Sequence, residues 1–346
     1  MEKVAQKTKL KPWVKLTIIF SSIVLGFIAL FGGVVGYFRI PVHAYYKASE
    51  KAFKIPEIGD GYVPQGLHYD ENSGNFIMSG YMSDHSTSPV YVISKDGELV
   101  KKVTLLMPDG TDYVGHGGGI SATDKYLYVT GGEDACLYVY DYTQLSTAKT
   151  GDKLECLGVF SLKLSETDYI ENAFVTVVGD SIITGEFYRA ESYPTLDSHK
   201  ITTRAGDFNQ AVALEYKIDN NAPFGINPTP VKAYSMPDQV QGLSVYQGKI
   251  YLSTSWGLSF SLIYEYDQAK LSNEGNISLL GCELPLYAMD SASLTNTYKI
   301  APMSEEMAFV DGKLYVHSES ASNKYIFGKF TGGKWIYKTD LSKMAK

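Results

Sequence analysis

Gln65-Gly66-Leu67-His68-Tyr69-Asp70-Glu71-Asn72-Ser73-Gly74-Asn75-Phe76-Ile77-Met78-Ser79-Gly80 reads as two short strands joined by a tight turn. A polar and a small residue open the first strand, Ser73-Gly74 makes the turn, and an apolar second strand ends in small residues. The same pattern returns four times. Gly118-Gly119-Ile120 leads through Thr123-Asp124 to Leu127-Tyr128-Val129-Thr130-Gly131, and Asn172-Ala173-Phe174 through Gly179-Asp180 to Ile182-Ile183-Thr184-Gly185. Gln241-Gly242-Leu243 leads through Gln247-Gly248 to Ile250-Tyr251-Leu252-Ser253, and Glu306-Met307-Ala308 through Asp311-Gly312 to Leu314-Tyr315-Val316-His317.

A third strand rich in Tyr and Val follows each copy: Val90-Tyr91-Val92-Ile93, Leu137-Tyr138-Val139-Tyr140, Val212-Ala213-Leu214-Glu215-Tyr216, Ile263-Tyr264-Glu265-Tyr266 and Tyr325-Ile326-Phe327. Most copies add a fourth, as in Leu99-Val100-Lys101-Lys102-Val103-Thr104 and Trp335-Ile336-Tyr337-Lys338. Four antiparallel strands per unit, recurring at intervals of roughly 50–70 residues, predict an all-β fold, a β-propeller of five blades. A single blade cannot bury both faces, so the copies must pack in a ring. A β-sandwich is the alternative, and a six-blade ring follows if residues 284–302 hold further strands. The chain's 27 Tyr and 32 Gly suit sheet surfaces and their turns.

Upstream of the repeats, residues 16–38 carry no charged side chain. As a helix this run spans a hydrocarbon core of about 30 Å. Lys3, Lys7, Lys9, Lys11 and Lys15 precede it against Glu2 alone, which predicts a cytoplasmic N-terminus and a single-pass protein of the plasma membrane with the large domain outside. A cleaved signal peptide is the competing reading. Val42-His43-Ala44 offers small residues for a peptidase, and cleavage after Ala44 would give a secreted protein. The expected division is a basic tail over 1–15, the transmembrane helix over 16–38, a short helix or stalk over 39–59 and the propeller over 60–346.

The net charge is −7, and the basic tail makes the remainder more acidic still, which argues against a nucleic-acid partner. Cys136 and Cys156 flank one hairpin and either bridge it in an oxidising compartment or stay, with Cys282, as unpaired thiols. Their spacing matches no zinc site.

In a propeller the first strands line the central channel, so the residues that open them converge at one end of the axis. These are Gln65, Gly118, Asn172, Gln241 and Glu306, with His116, Glu171 and Glu305 close behind. The second-strand ends add Glu133, Glu186, Trp256, His317 and Glu319 to a rim. Glu306 and Asn172 are the candidate metal ligands, since converging oxygens suit a hard cation such as Ca2+. Gln65, His116, Gln241, Glu171, Glu305, Trp256 and His317 are the candidate ligand-binding residues. Gly115-His116-Gly117-Gly118-Gly119 lets backbone approach a ligand closely, and Trp256 offers a stacking surface. Inert strand capping is the competing reading of the ring, and packing between blades that of Trp256.

Val63-Pro64-Gln65-Gly66-Leu67, Gly115-His116-Gly117-Gly118-Gly119-Ile120 and Pro302-Met303-Ser304-Glu305-Glu306 resemble the membrane-anchored propellers of Gram-positive bacteria, a group that implies no particular activity. The ring with Glu306 and Asn172 is similar in layout to the calcium-dependent propeller hydrolases, the regucalcin-type lactonases and the calcium apyrases. That resemblance implies calcium on the inner strands, although Gln65 and Gln241 stand where acids would ligate better. Two functions are therefore expected. One is a binding module that takes a cell-surface glycan, peptide or protein at its channel mouth. The other is a calcium-dependent hydrolase of a phosphate ester or lactone.

Overall fold

The computed structural model describes residues 11–344. Lys3, Lys7 and Lys9 of the expected basic tail, and the last two residues of the expected propeller, lie outside that range.

Five sheets stand around one axis, and in each the first strand is innermost. Blade 1 comprises Tyr62–Asp70, Asn75–Met82, Pro89–Ser94 and Leu99–Leu105. Blade 2 comprises Ile120–Ala122, Tyr126–Thr130, Cys136–Asp141 and Cys156–Ser161. Blade 3 comprises Asn172–Val178, Ser181–Glu186, Ala211–Lys217 and Lys232–Met236, and blade 4 Val240–Tyr246, Lys249–Thr254, Ser261–Asp267 and Leu294–Ile300. Blade 5 takes Ser304–Val310, Lys313–Ser318 and Trp335–Thr339 from the C-terminal end, and its outer strand, Ser49–Lys54, from the N-terminal end.

The turns follow from the residues in them. Gln247-Gly248 and Asp311-Gly312 hold φ of 49° and 73° at their two central positions. That double positive φ is the type I′ geometry whose twist matches the flanking strands. Side chains alternating off the strands then meet across blade boundaries, and five buried clusters result. Blades 1 and 2 share one around Val103, Leu127 and Tyr140. Blades 2 and 3 share another around Val139, Ile182 and Leu214, and blades 3 and 4 one around Phe174, Leu243 and Leu252. Blades 4 and 5 meet at Ile263, Val316 and Tyr337, and blades 5 and 1 at Phe53, Phe76 and Ile336. Each cluster belongs to two blades, so the ring is the unit that buries apolar surface.

Five blades, not six, fill the circle. Residues 284–302 do hold strands, but these do not form a blade of their own. The hairpin Ser272–Leu279 with Cys282–Ala288 leaves blade 4 and adds to the outer edge of blade 3, where Cys282–Ala288 runs parallel to Lys232–Met236. Leu294–Ile300 then completes blade 4. Register also separates the cysteines: Cys136 faces Ser161 and Cys156 faces Tyr140, and all three are free thiols.

Two expectations about the fifth blade are corrected. Tyr325-Ile326-Phe327 is not its third strand, because residues 319–334 form a loop with a short helical turn, Gly328–Thr331. Trp335–Thr339 takes the third place. The segment expected as a stalk forms helix α2, His43–Ala48, and then the outer strand, with Ser49 opposite Thr339 and Lys54 opposite Trp335. The physical reason is ring closure: pairing the N-terminal strand with the C-terminal one gives the last blade its fourth strand and ties the two ends of the ring together.

Helix α1, Pro12–Arg39, precedes α2. Its 28 residues span about 42 Å, more than a hydrocarbon core needs. It is apolar and exposed over most of its length. Length and composition thus fit a membrane anchor or a signal sequence.

Phe53 is buried where blade 5 meets blade 1, with its ring 5.1 Å from that of Phe76. Phe53→Ala removes the main apolar contact of the closing strand and should cost about 3–5 kcal/mol, read as a lower urea midpoint with an unchanged slope.

Candidate ligand cavity on the propeller axis

The inner strands do not run straight to the axis. Each of four slips register near its start, between Pro64 and Leu67, Asn172 and Phe174, Val240 and Gly242, and Ser304 and Met307. Such bulges leave residues unpaired in the ladder and turn their backbone groups elsewhere. The axial edge of each first strand is also unpaired, and N–H groups on it point inward. Glu306 Oε2 accepts from Leu67 N at 2.8 Å and Ile120 N at 3.2 Å, and the N–H of Val175 faces the same carboxyl group. A Cβ on Gly242 would come within 2.8 Å of Glu306 Cα, so glycine is required for blade 4 to close on this residue.

One carboxyl group thus ties together blades 1, 2, 3 and 5. Burial raises its pKa well above the usual carboxylate range, against the lowering effect of the three N–H groups. One oxygen of Glu306 thus already faces backbone donors and the other has no partner among the described residues, whereas calcium takes six to eight oxygen ligands. Among the described residues, no group of three or more His, Cys, Asp and Glu side chains could hold a metal ion.

The bulges also correct the alignment of the copies. In blade 1, Pro64 pairs with Gly80 and Leu67 with Met78; in blade 5, Ser304 pairs with Ser318 and Met307 with Val316. Glu305, not Glu306, is therefore the equivalent of Gln65. In blade 3, Asn172 pairs with Glu186 as Val240 pairs with Thr254 in blade 4, which makes Ala173 the equivalent of Gln241. A slip of one residue moves a side chain to the other face. Glu306 accordingly lies beneath the site instead of in it.

Above Glu306 the axis opens into a cavity of about 640 Å³. Its floor takes one residue from each blade: Gln65, Gly118, Ala173, Gln241 and Glu305. Asn172 joins them, fully buried, with Nδ2 donating to Thr184 Oγ1 at 3.1 Å and Oδ1 unpartnered. The wall is largely aromatic. Tyr81 and His116 lie 4.3 Å apart with their rings tilted by 45°, His116 exposed at the mouth, and Trp256 lies 6.0 Å from Phe187 and 6.1 Å from Tyr193. Tyr325, Lys324 and Glu319 complete it from the loop of blade 5, and Glu171, Glu133 and Asp134 from the opposite side.

Acids dominate the charge. Glu305 is 2% exposed, and its carboxyl group has no hydrogen-bond partner among the described residues. Burial, then the nearby carboxyl groups of Glu319 and Glu306, raise its pKa well above the ordinary value. Glu319 Oε2 accepts from Gln65 Nε2 at 3.1 Å; burial pushes its pKa up to about 7, opposed by Lys324 and by that hydrogen bond. Glu171 is raised by burial and then by Glu133 and Glu186. The Lys324 ammonium donates to Tyr81 Oη at 2.7 Å.

Six of the seven residues expected to bind ligand line this cavity: Gln65, His116, Gln241, Glu171, Glu305 and Trp256. His317 does not. It is buried opposite the blade 5 bulge, and burial lowers its pKa to about 3, leaving it neutral. Of the expected metal pair, Asn172 reaches the floor and Glu306 does not. Tyr81, Phe187, Tyr193, Tyr325 and Lys324 were not anticipated. A signal for two of them was present: Tyr81 and Phe187 sit at the end of the second strand, as Trp256 and Glu319 do.

No protein-family model matches the chain, and no curated protein matches it in sequence. Among solved structures it is similar to a pyrroloquinoline-quinone-bound aldose sugar dehydrogenase from Streptomyces coelicolor, at 12% identity, with 84% of this chain and 95% of that one covered and a TM-score of 0.45. It is also similar to a glutaminyl cyclase from Myxococcus xanthus, at 12% identity, 81% and 90% coverage and a TM-score of 0.41. A nidogen–laminin complex follows at 8% identity, 75% and 73% coverage and 0.37.

Two outcomes test the axis and the floor. Glu306→Ala orphans the buried N–H groups of Leu67 and Ile120 and should cost on the order of 3 kcal/mol in urea unfolding, whereas Glu306→Gln, which keeps an acceptor, should cost far less. A carboxyl group whose folded pKa is raised contributes stability below its ordinary pKa and loses it as pH rises through the folded value. Glu319→Gln should therefore match the parent chain in thermal midpoint near pH 4 and exceed it at pH 8, the gap opening between about 4.5 and about 7 and staying constant above.

Proposed function

We propose that the chain is a single-pass, membrane-anchored binding propeller of the cell surface, with the axial cavity as its ligand site and the mouth of that cavity turned toward the bilayer. A volume of about 640 Å³ lies within the range of small-molecule sites, and a group projecting from a larger partner would fit it equally. The apolar run of α1 supplies the anchor, and the lysine excess before it favours a cytoplasmic N-terminus.

The observation that carries this reading is which end of the propeller touches α1. Residues 255–260 and 319–334 follow the second strands of blades 4 and 5, so they lie at the cavity end, beside Trp256 and Glu319. Those loops meet the last turns of the helix. Phe38 stacks on Phe327 at 4.5 Å, Tyr37 approaches Phe260 at 6.2 Å, and Arg39 Nη1 donates to Thr331 O at 3.1 Å. Deeper along the helix, Phe31 meets Phe330 edge-on at 5.2 Å. Phe31 stands seven positions before Phe38, or about 10 Å along the axis. A bilayer around the helix therefore also surrounds Phe330. Leu258, Ile326 and Phe330, each more than half exposed to water, gain an apolar environment there.

The test uses the full chain in vesicles, with Phe330→Trp in a Trp13→Phe background. Lipids brominated along the acyl chains should quench the added fluorescence of Trp at this position relative to the same background without it. Co-flotation with vesicles but no added quenching would mean that the propeller stands away from the membrane. Loss of co-flotation would remove the anchor itself.

A further inference from the structure

We infer that the axial cavity binds a substituted ammonium group, held by the Glu305 carboxylate and packed against the aromatic wall; the inference rests on the cavity being the ligand site. Three observations converge on it. The first is the buried Glu305 carboxyl group, which lines the cavity with no partner among the described residues. A carboxyl group so placed is costly to ionise unless a cation meets it.

The second is the balance of charge. Glu133, Asp134, Glu171, Glu305 and Glu319 face a single ammonium, that of Lys324, which is already donated to Tyr81. An anionic ligand would meet repulsion from nearly every side. A neutral sugar would need a ring of free donors and acceptors. The donors of the three floor amides are already engaged, however: Gln65 Nε2 with Pro64 O at 2.9 Å and with Glu319, Gln241 Nε2 with Ser255 Oγ at 3.4 Å and Asn172 Nδ2 with Thr184 Oγ1 at 3.1 Å.

The third is the wall. Tyr81, Phe187, Tyr193, Trp256 and Tyr325 surround the acids, and a cation near aromatic faces gains more when it is desolvated. The protein already uses that attraction beside the cavity, where the Arg189 guanidinium lies 4.9 Å from the centroid of the Trp256 ring. Carboxylate below and aromatic rings around form a cage for an ammonium carrying methyl or alkyl groups.

Such a group reaches the mouth either as a free amine or on a lipid headgroup, and the experiment separates the two. The full chain is placed in nanodiscs of phosphatidylglycerol and titrated with choline, with ethanolamine and with 3,3-dimethylbutan-1-ol, the neutral carbon analogue of choline. Tryptophan fluorescence and calorimetry report binding. An ammonium probe should bind at least about tenfold more tightly than the neutral alcohol. Glu305→Gln should remove about tenfold of its affinity while keeping or raising the thermal midpoint, and Trp256→Ala should weaken it independently.

In nanodiscs that contain phosphatidylethanolamine, a fluorescence already shifted and unresponsive to free ethanolamine would identify the headgroup as the source. A response unchanged by that lipid would identify a soluble amine. Equal binding of choline and its neutral analogue, or affinity unchanged in Glu305→Gln, overturns the ammonium inference but leaves the cavity as a ligand site. Silence from all three probes and from the lipid overturns both.

Discussion

Everything in the ring is referred to one buried carboxyl group. Glu306 reaches the axis from blade 5 and collects backbone N–H groups from blades 1 and 2, with that of Val175 in blade 3 facing it. Inter-blade apolar contacts are non-directional, and alone they would let neighbouring sheets slide. A hub of directional hydrogen bonds converts a circle of pairwise contacts into one with a fixed centre. It can do so because each inner strand leaves its axial edge unpaired, and because Gly242 has no side chain to hold blade 4 away; four of these strands also bulge near their starts. The same bulges leave Gln65, Gln241 and Glu305 on the far side of the hub, where they form the cavity floor.

The electrostatics of the site follow from that geometry. Glu305 and Glu306 are adjacent in sequence, yet one faces the cavity and the other faces N–H donors. Their proximity, with Glu319 near by, raises the proton affinity of Glu305 beyond the effect of burial. Burial of this floor favours the protonated form of Glu305, and a cation entering the cavity would favour the ionised one. Rigid support comes from the inner strands. The chemistry of the wall comes from loops following the second strands, which tolerate variation without disturbing the hub.

Local pattern made the blades legible. Gln247-Gly248 and Asp311-Gly312 announce hairpins by turn chemistry alone, and apolar alternation places the strands on either side. What was not legible depends on long-range pairing. The Glu305-Glu306 pair looks the same under either register, and the slip becomes visible when Ser304 is seen opposite Ser318 and Met307 opposite Val316. Ser49–Lys54, with its charged side chains, reads as a stalk because an outer strand bears one exposed face and needs little apolar character. Tyr325-Ile326-Phe327 has strand composition for a different reason: its apolar side chains serve the cavity wall and the helix α1 interface. Tyr81 and Phe187 were overlooked although they occupy the position that drew attention to Trp256.

The closing strand has a consequence in time. Ser49–Lys54 directly follows the two helices and is among the first segments of the propeller to be made, while its partner Trp335–Thr339 is among the last. During synthesis the early strand therefore waits with an open edge as four blades assemble downstream. In the finished ring Tyr45 of helix α2 packs on Tyr337, the two rings 5.7 Å apart. Helix α2 thus packs on the seam of the ring. A chain that stops short of Trp335 leaves that seam unsewn however complete its other blades.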